Sequence, residues 1–277
     1  HPRQGWILKL TYDLEIKQRH WDAAKLTLYR AEKNQAIPAS QAASDRIAIL
    51  LAQAEEERNL GFRGKTIGLM QQANRFHPYF VPGALRLARM YKQEGRRRQA
   101  VNVIERTWRK NPHPDLARFW DFLAPVHKSA KPMARATWYG RLVKLNPESA
   151  ESHLALARVA MEEGLWGEAR DHFEKAEAIE PSAPLYRLWV ELEKRVGGNP
   201  RLLQTLQEKL ATFPLEKRWV CRETGAIYDE WEPIALPHGA FNTIEWVLPH
   251  GSSAAQLTSR SAIAEALIDA PRAASGT

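Results

Sequence analysis

Apolar residues recur along the first 214 residues with the three- and four-residue spacing of amphipathic helices, and proline interrupts this pattern at nearly constant intervals. The prolines are Pro78, Pro112, Pro147, Pro181 and Pro214, and the intervals between them are 34, 35, 34 and 33 residues. Proline cannot continue a helix, because it lacks an amide hydrogen and its ring clashes with the preceding turn. Each proline therefore predicts a helix end, and the constant interval predicts an internal repeat.

Small and large apolar residues occupy matching positions within these intervals. The clearest unit ends at Pro181, and its positions are Leu156, Ala157, Gly164, Ala169, Phe173 and Ala176. The unit that ends at Pro112 carries Leu87, Ala88, Tyr91, Gly95, Ala100 and Ile104 at the same offsets. Small residues let two helices approach closely, and large residues fill the gaps between helix pairs. The pattern resembles tetratricopeptide repeats, which implies stacked antiparallel helix pairs.

Weaker units precede these two in the same phase, at Ala54, Met70 and Ala73 and, earlier, at Ala24, Leu28 and Ala31. The unit that ends at Pro147 is irregular, because Pro125 and Pro132 interrupt it. We therefore predict an all-α fold, a tetratricopeptide-like α-solenoid of about six helix pairs in residues 1–214. An unrelated helical bundle is the alternative.

Composition and charge change this prediction little. The net charge is +8, but Lys and Arg alternate with Asp and Glu in most of the predicted helices. No stacking-aromatic or groove-reading module is evident, so nucleic acid is not predicted as a partner. The longest apolar runs, such as Ile47–Ala52, fall far short of the roughly 18 residues of a membrane span. The chain begins at His1 without a methionine, which we interpret as part of a longer protein.

Catalytic patterns are missing from the sequence. Gly64-Lys65-Thr66 suggests a phosphate-binding loop, but the glycine that this motif needs five residues earlier is Asn59. The histidines are scattered singly, and Cys221 is the single cysteine. We therefore predict a protein that is not an enzyme and holds no cofactor.

Residues 215–249 differ from the repeats in composition, because tryptophans lie there among residues that are typical of turns. Two halves match a zinc-knuckle pattern, and their four ligand positions are Cys221, Thr224, Ala235 and His238. Only a cysteine and a histidine remain, whereas a structural zinc site needs four ligands. We predict a metal-free, degenerate zinc-ribbon-like cap on the last helix pair, packed by Trp219, Trp231, Phe241 and Trp246. Residues 250–277 are predicted to be a disordered tail, with a short helix over Ser261–Ile268 as the alternative.

The cap motif adds a resemblance to a known family. The segment Trp219-x-Cys221 with Gly225, followed by Pro237-His238-Gly239-x-Phe241-Asn242-Thr243-x-x-Trp246, resembles the HemY family of proteobacterial membrane proteins. Rubredoxin-like knuckles behind such repeats also resemble the lipopolysaccharide-assembly regulators, from which this chain departs at Thr224, Ala235 and His238. The HemY resemblance implies two transmembrane helices before His1 and a repeat domain at the cytoplasmic face of the inner membrane. It also implies a scaffold that holds enzymes of late haem or protoporphyrin synthesis.

The first helix of each pair lines the concave face in tetratricopeptide arrays, and the prolines place a set of mostly basic residues there. This expected groove comprises Arg58, Asn59, Arg89, Lys92, Gln93, Phe119, His127, Arg158, Arg187 and Arg195. Cations can bind carboxylates through charge-assisted hydrogen bonds, and Phe119 would be an apolar anchor. We therefore expect an acidic or carboxylate-ended segment of a partner protein as the ligand. The alternatives are a groove that binds nothing, or a direct porphyrin or haem carrier that uses Phe119, Trp120 and His127.

Overall fold

Twelve α-helices follow one another between residues 2 and 211 of the computed structural model, which describes residues 2–125, 132–213 and 215–249. The helices are α1 (Pro2–Lys17), α2 (Trp21–Lys33), α3 (Ala39–Asn59), α4 (Arg63–Phe76), α5 (Val81–Gln93), α6 (Arg97–Trp108), α7 (Pro114–Asp121), α8 (Pro132–Leu145), α9 (Ala150–Glu162), α10 (Trp166–Ile179), α11 (Ala183–Val196) and α12 (Pro200–Ala211). The chain divides into two compact units, His1–Pro214 and Leu215–Thr277.

The helices of the first unit form a stacked array of pairs. α1 packs against α2, α3 against α4, α5 against α6, α9 against α10 and α11 against α12. Each second helix also packs against the first helix of the following pair, as α2 does against α3 and α4 against α5. The first helices α5, α7, α9 and α11 contact one another in succession. The predicted tetratricopeptide-like α-solenoid is therefore confirmed, with no strand among the described residues of this unit.

The turn between the two helices of a pair has the same geometry in the five pairs for which it is described. One residue of each turn has a left-handed backbone conformation. These residues are Arg19, Gly61, Gly95, Gly164 and Gly197, and their φ angles are +58, +83, +71, +76 and +62°. In each turn the next amide donates to a carbonyl five residues earlier, over 2.7 to 2.9 Å. This is a Schellman helix end, for which glycine is favoured because it has no Cβ to clash.

The matching apolar positions form the core between the helices. Ala157 and Ala169 are wholly buried, and they let α9 and α10 approach closely. Phe173 is also wholly buried and stacks on Trp189 of α11, with ring centroids 5.7 Å apart. The repeat pattern thus sets both the contact within a pair and the contact between pairs.

The pair α7–α8 is irregular and is held by two tryptophans. The rings of Trp120 and Trp138 are stacked, with centroids 4.2 Å apart and planes at 8°. Each indole Nε1 donates to the other residue's backbone carbonyl, over 3.1 and 3.0 Å. The guanidinium of Arg141 lies 4.6 Å from the Trp138 ring centroid. Because α7 has only eight residues, this cluster replaces part of the helix-helix contact that a longer α7 would make.

One face of α1 is apolar and open. Trp6, Ile7, Leu10 and Leu14 expose between 45 and 67% of their surface, and they lie on one side of the helix. The side that carries Tyr12 and Ile16 is buried instead. α1 therefore has two apolar faces, and the described residues cover one of them.

The second unit is a small antiparallel β structure. Its strands are β1 (Arg218–Cys221), β2 (Ile227–Tyr228), β3 (Ile234–Ala235), β4 (Ala240–Phe241) and β5 (Ile244–Val247). β1 pairs with β2 and β5 in one sheet, and β3 pairs with β4 in another. Trp219 is the register partner of Trp246, and their ring centroids are 5.2 Å apart. Trp231 is also buried, so aromatic residues supply much of the core of this unit.

Candidate functional site

The residues expected in the groove lie on first helices wherever the structure describes them. Arg58 and Asn59 end α3, Arg89, Lys92 and Gln93 lie on α5, Phe119 on α7, Arg158 on α9, and Arg187 and Arg195 on α11. We call the exposed surface of these first helices the first-helix face. His127 lies outside the described residues. Whether these residues bind a partner remains a prediction.

Several of these cations are already matched by carboxylates. Arg58 forms an ion pair with Glu55 one turn earlier on α3. The same carboxylate accepts a hydrogen bond of 3.1 Å from Arg86 of α5, whose side chain is nearly buried. Arg195 pairs with Glu191 in the same way. The first-helix face therefore carries both charges, and carboxylates on it already pair with Arg58 and Arg195.

Arg158 belongs to a second, more buried group of charges on α9. Burial raises the pKa of Glu151 to about 7, and the positive charge of Arg158 opposes that shift. Burial also raises the pKa of Tyr139 to about 12, and its hydroxyl donates to the carbonyl of Ala117 over 2.9 Å. Arg158 is half-buried among these groups. We interpret it as a residue that stabilises the stacking of α7, α8 and α9.

Phe119 is not the exposed anchor that the sequence suggested. Its side chain exposes only 8% of its surface, whereas Phe122 exposes 66%. The centroids of the two rings lie 6.2 Å apart, so the buried Phe119 ring packs beside the exposed Phe122 ring. The Nζ of Lys92 lies 4.8 Å from the Phe122 ring centroid, which joins α5 to the end of α7 through a cation–π contact. Phe122 could have been selected from the sequence as a neighbour of Phe119, because residues three apart in a helix lie next to each other on its surface.

The apolar surface that a porphyrin carrier would need is not offered by the residues suggested for it. Trp120 is wholly buried and stacked on Trp138, and Phe119 is covered as described above. Both rings are engaged in holding α7 against its neighbours. The carrier hypothesis therefore has no support from these two residues.

Two histidines meet between α9 and α10. The Nδ1 atoms of His153 and His172 are 2.8 Å apart, and His153 Nε2 is 2.9 Å from the carbonyl oxygen of Pro147. A carbonyl can only accept, so Nε2 of His153 carries the proton and its Nδ1 is an acceptor. His172 must then donate from its own Nδ1. The arrangement is satisfied when both rings are neutral.

This pair predicts that acid weakens the fold. Burial, and then the charge of His153, lowers the pKa of His172 from 6.5 to about 4. The unfolded chain therefore binds more protons than the folded chain between these values, and stability is complete above pH 6.5 and falls as the pH drops towards 4. The unaltered chain should lose unfolding free energy between pH 7 and pH 4, and we expect this loss to be about 2 kcal/mol smaller in His172→Gln. This value is lower than the full difference in pKa would give, because the ring is only half-buried. Urea titrations at both pH values measure it.

The control for this experiment is the exposed His20. His20→Gln should leave the pH dependence of the unfolding free energy as it is in the unaltered chain. Equal effects of the two substitutions would contradict the role assigned to the buried pair.

Both halves of the zinc-knuckle pattern keep the knuckle backbone. The amide of Gly225 donates to the carbonyl of Cys221 over 2.7 Å, and Gly239 donates to Ala235 over 2.9 Å. The φ angles of the two glycines are +69 and +74°. The buried Sγ of Cys221 lies 3.2 Å from the hydroxyl of Thr243. The two turns thus have the same shape, and the thiol is hydrogen-bonded within the protein.

The side chains do not fit a zinc ion. Of the four ligand positions, Thr224 offers a hydroxyl and Ala235 a methyl group, and neither is a zinc ligand. In the described part of the chain no three His, Cys, Asp or Glu residues are grouped so that they could hold a metal ion. In the same residues, no helix has the length and apolar character needed to cross a membrane.

No protein-family model matches the chain. A curated relative is the probable magnetosome protein Mms48 of Magnetospirillum gryphiswaldense, which is 27% identical over 236 residues. The match covers 85% of this chain and 52% of the relative. The chain thus spans about half the length of the curated relative that it matches.

The solved structures that match parts of this chain include three proteins. MamA is 18% identical, with a TM-score of 0.33 and coverage of 57% of this chain and 90% of that chain. YrrB, a TPR protein with an unusual peptide-binding site, is 13% identical, with a TM-score of 0.35 and coverage of 67 and 91%. The type IV pilus biogenesis factor PilW is 15% identical, with a TM-score of 0.37 and coverage of 75 and 92%. At these TM-scores the fold assignment rests on the helices of this chain itself. Their stacked pairs and repeated turns make the first unit an all-α, tetratricopeptide-like helical repeat.

Proposed function

We propose that this protein is an interaction scaffold whose first-helix face binds a segment of another protein. The observation that carries the proposal is the contact between Lys92 on α5 and Phe122 directly after the end of α7, both of which are exposed. Together they offer a cation and an apolar ring at one place. A carboxylate of the partner would bind Lys92 through charge-assisted hydrogen bonds. An apolar side chain next to that carboxylate would pack on Phe122.

The mixed charge of the first-helix face favours Lys92 and Phe122 as the residues that contact the partner. Arg58 and Arg195 already bind carboxylates of their own helices, so displacing those pairs would offset part of any gain. Lys92 gives up only a cation–π contact, and the neighbouring Gln93 adds an exposed amide. The expected ligand is therefore a segment with one or two carboxylates beside an apolar residue.

The partner and its location are proposed from the sequence resemblance. The motif between Trp219 and Trp246 supports a HemY-like role, in which the scaffold holds enzymes of late haem or protoporphyrin synthesis. The same resemblance supports a place at the cytoplasmic face of the bacterial inner membrane. In this proposal residues 1–214 bind the partner, and residues 215–249 are a metal-free ribbon unit.

A displayed library of random peptides tests the binding face without knowledge of the partner. Peptides selected on the unaltered chain should carry Asp or Glu beside an apolar residue. The double substitution Lys92→Ala with Phe122→Ser should weaken their binding about 30-fold, which corresponds to about 2 kcal/mol. Fluorescence anisotropy with the synthetic peptides measures the affinity.

The matched control removes the same side-chain types elsewhere. Lys175 and Phe76 are both exposed and lie on the second helices α10 and α4. Lys175→Ala with Phe76→Ser should change the affinity by no more than about twofold, as is usual for residues outside a hot spot. Equal loss from both pairs would show that the peptides bind elsewhere, and the proposal would be wrong.

A further inference from the structure

The C-terminal ends of four second helices form an edge rich in exposed cations. The last turns of α2, α4, α6 and α8 all contain basic residues, whereas the last turn of α10 contains none. Two more cations follow directly after α6. The exposed members of this basic edge are Arg30, Lys33, Arg75, Arg106, Arg109, Lys110 and Lys144.

Hydrogen bonds between the helix ends hold this edge together. The hydroxyl of Thr107 donates to the carbonyl of Pro78 over 3.2 Å, and Asn111 Nδ2 donates to that of Tyr79 over 3.1 Å. Further along, Asn146 Nδ2 donates to the carbonyl of Arg109 over 3.3 Å. The ends of α4, α6 and α8 therefore lie side by side. Packed helices are about 10 Å apart, so the cations form a row rather than a point.

The cations of the basic edge are not matched by carboxylates. Nearby acids are engaged with other residues: Glu32 binds Arg46 over 2.8 Å, and Glu105 binds Arg141. The exposed Glu148 lies only at the far end, after α8. None of the seven cations forms an ion pair with a carboxylate in residues 2–125, 132–213 or 215–249. This contrasts with the first-helix face, where Arg58 is paired.

Helix dipoles account for only part of this pattern. A cation in the last turn of a helix gains a few tenths of a kcal/mol from the carbonyl groups there, which explains one basic residue per helix. It does not explain Arg109 and Lys110, which both follow α6. It also does not explain the aromatic rings in the same row, where Tyr29 exposes 56%, Phe76 52% and Tyr79 36% of its surface.

We propose that the basic edge binds the surface of an anionic phospholipid membrane. Exposed Lys and Arg residues are attracted to anionic headgroups, and aromatic rings such as those of Phe76 and Tyr79 are favoured at the boundary between headgroups and acyl chains. Because the residues follow a row of helix ends, they can reach a flat surface together. This binding does not depend on a peptide in the first-helix face.

Co-sedimentation of the full chain with lipid vesicles tests the proposal. The chain should bind vesicles of phosphatidylcholine with one-third phosphatidylglycerol at low salt, and release them as salt shortens the screening length below about 8 Å. Arg109→Ala with Lys110→Ala should reduce the partition coefficient about 30-fold, because each cation near such a surface contributes about 1 kcal/mol.

A matched pair of cations lies at the opposite end of the same helix. Arg96→Ala with Arg98→Ala removes the same charge from two exposed positions and should change the partition by about twofold or less. Arg97 is left in place because its Nε donates to the carbonyl of Leu123 over 2.8 Å. Thermal melts followed by circular dichroism check that both double variants remain folded.

Three results would overturn the proposal. The first is equal loss from the two pairs, since bulk charge and not the basic edge would then cause the binding. The second is equal sedimentation with phosphatidylcholine alone. The third is tighter binding to a DNA duplex than to the anionic vesicles in the same buffer, which would assign the edge to nucleic acid.

Discussion

Replacing Trp120 by Ala is expected to lower the unfolding free energy of the repeat unit by about 4 kcal/mol. The side chain is wholly buried, and its ring stacks on Trp138 at 4.2 Å. Its loss leaves a cavity and also leaves the carbonyl of Trp138 without the indole donor that now binds it over 3.1 Å. Other contacts between α7 and α8, such as the hydrogen bond from Tyr139 to the carbonyl of Ala117, remain in the variant. Urea denaturation followed by far-ultraviolet circular dichroism measures the change.

Two further variants help to interpret this effect: one separates the loss of the hydrogen-bond donor from the loss of the ring, and the other is a control at an exposed tryptophan. Trp120→Phe keeps an aromatic ring but removes the donor, so its cost is expected to be about 1 to 3 kcal/mol. Trp6→Ala removes a tryptophan that is 67% exposed and should change the unfolding free energy by about 0.5 kcal/mol or less. A loss below about 1 kcal/mol for Trp120→Ala would show that the tryptophan pair does not hold α7 and α8 together.

The repeat was predictable because its signals are local. Pro78 lies two residues beyond the end of α4, and Gly95 and Gly164 occupy the left-handed position of the turns inside their pairs. Such turns require glycine or a strained residue whatever the rest of the chain does. Ala169 and Phe173 could likewise be assigned to the core, because a stacked pair of helices always places these positions inside.

The binding face was less predictable, because it depends on contacts between distant residues. Glu55 and Arg86 are 31 positions apart, and only the stacking register of α3 on α5 brings them together. Counting back from Pro147 also fails in α7, where the short helix turns Phe119 inward and leaves Phe122 exposed. The sequence shows how many cations a first helix carries, but not which of them are already paired.

The zinc-knuckle pattern illustrates the same division between backbone and side chains. Gly225 and Gly239 predict two turns of matching shape, and the structure contains both turns. What fills the space between them cannot be read from the turns. Here Cys221 binds the hydroxyl of Thr243, a residue that no ligand pattern would have selected.

Restoring the ligands of this pattern is expected to create a zinc site. The chain with Thr224→Cys, Ala235→Cys and His238→Cys, together with the native Cys221, would present four thiolates on two knuckle turns. Structural zinc sites of this kind bind with roughly 10 kcal/mol or more at neutral pH, so the variant should hold one zinc ion after dialysis. The unaltered chain should hold none under the same conditions.

Cobalt provides the decisive measurement, because four thiolates around Co(II) give a tetrahedral absorption spectrum that zinc then removes. The control carries the same number of new thiols at three exposed positions, Glu223→Cys, Asp229→Cys and Leu236→Cys, and should show no tetrahedral band. The thermal midpoint of the β unit should rise with zinc in the first variant alone, since a ligand that binds only the folded state stabilises it. Equal metal uptake by both variants, or none by the first, would mean that the two turns do not face a common centre. The degenerate zinc-ribbon interpretation of residues 215–249 would then be wrong.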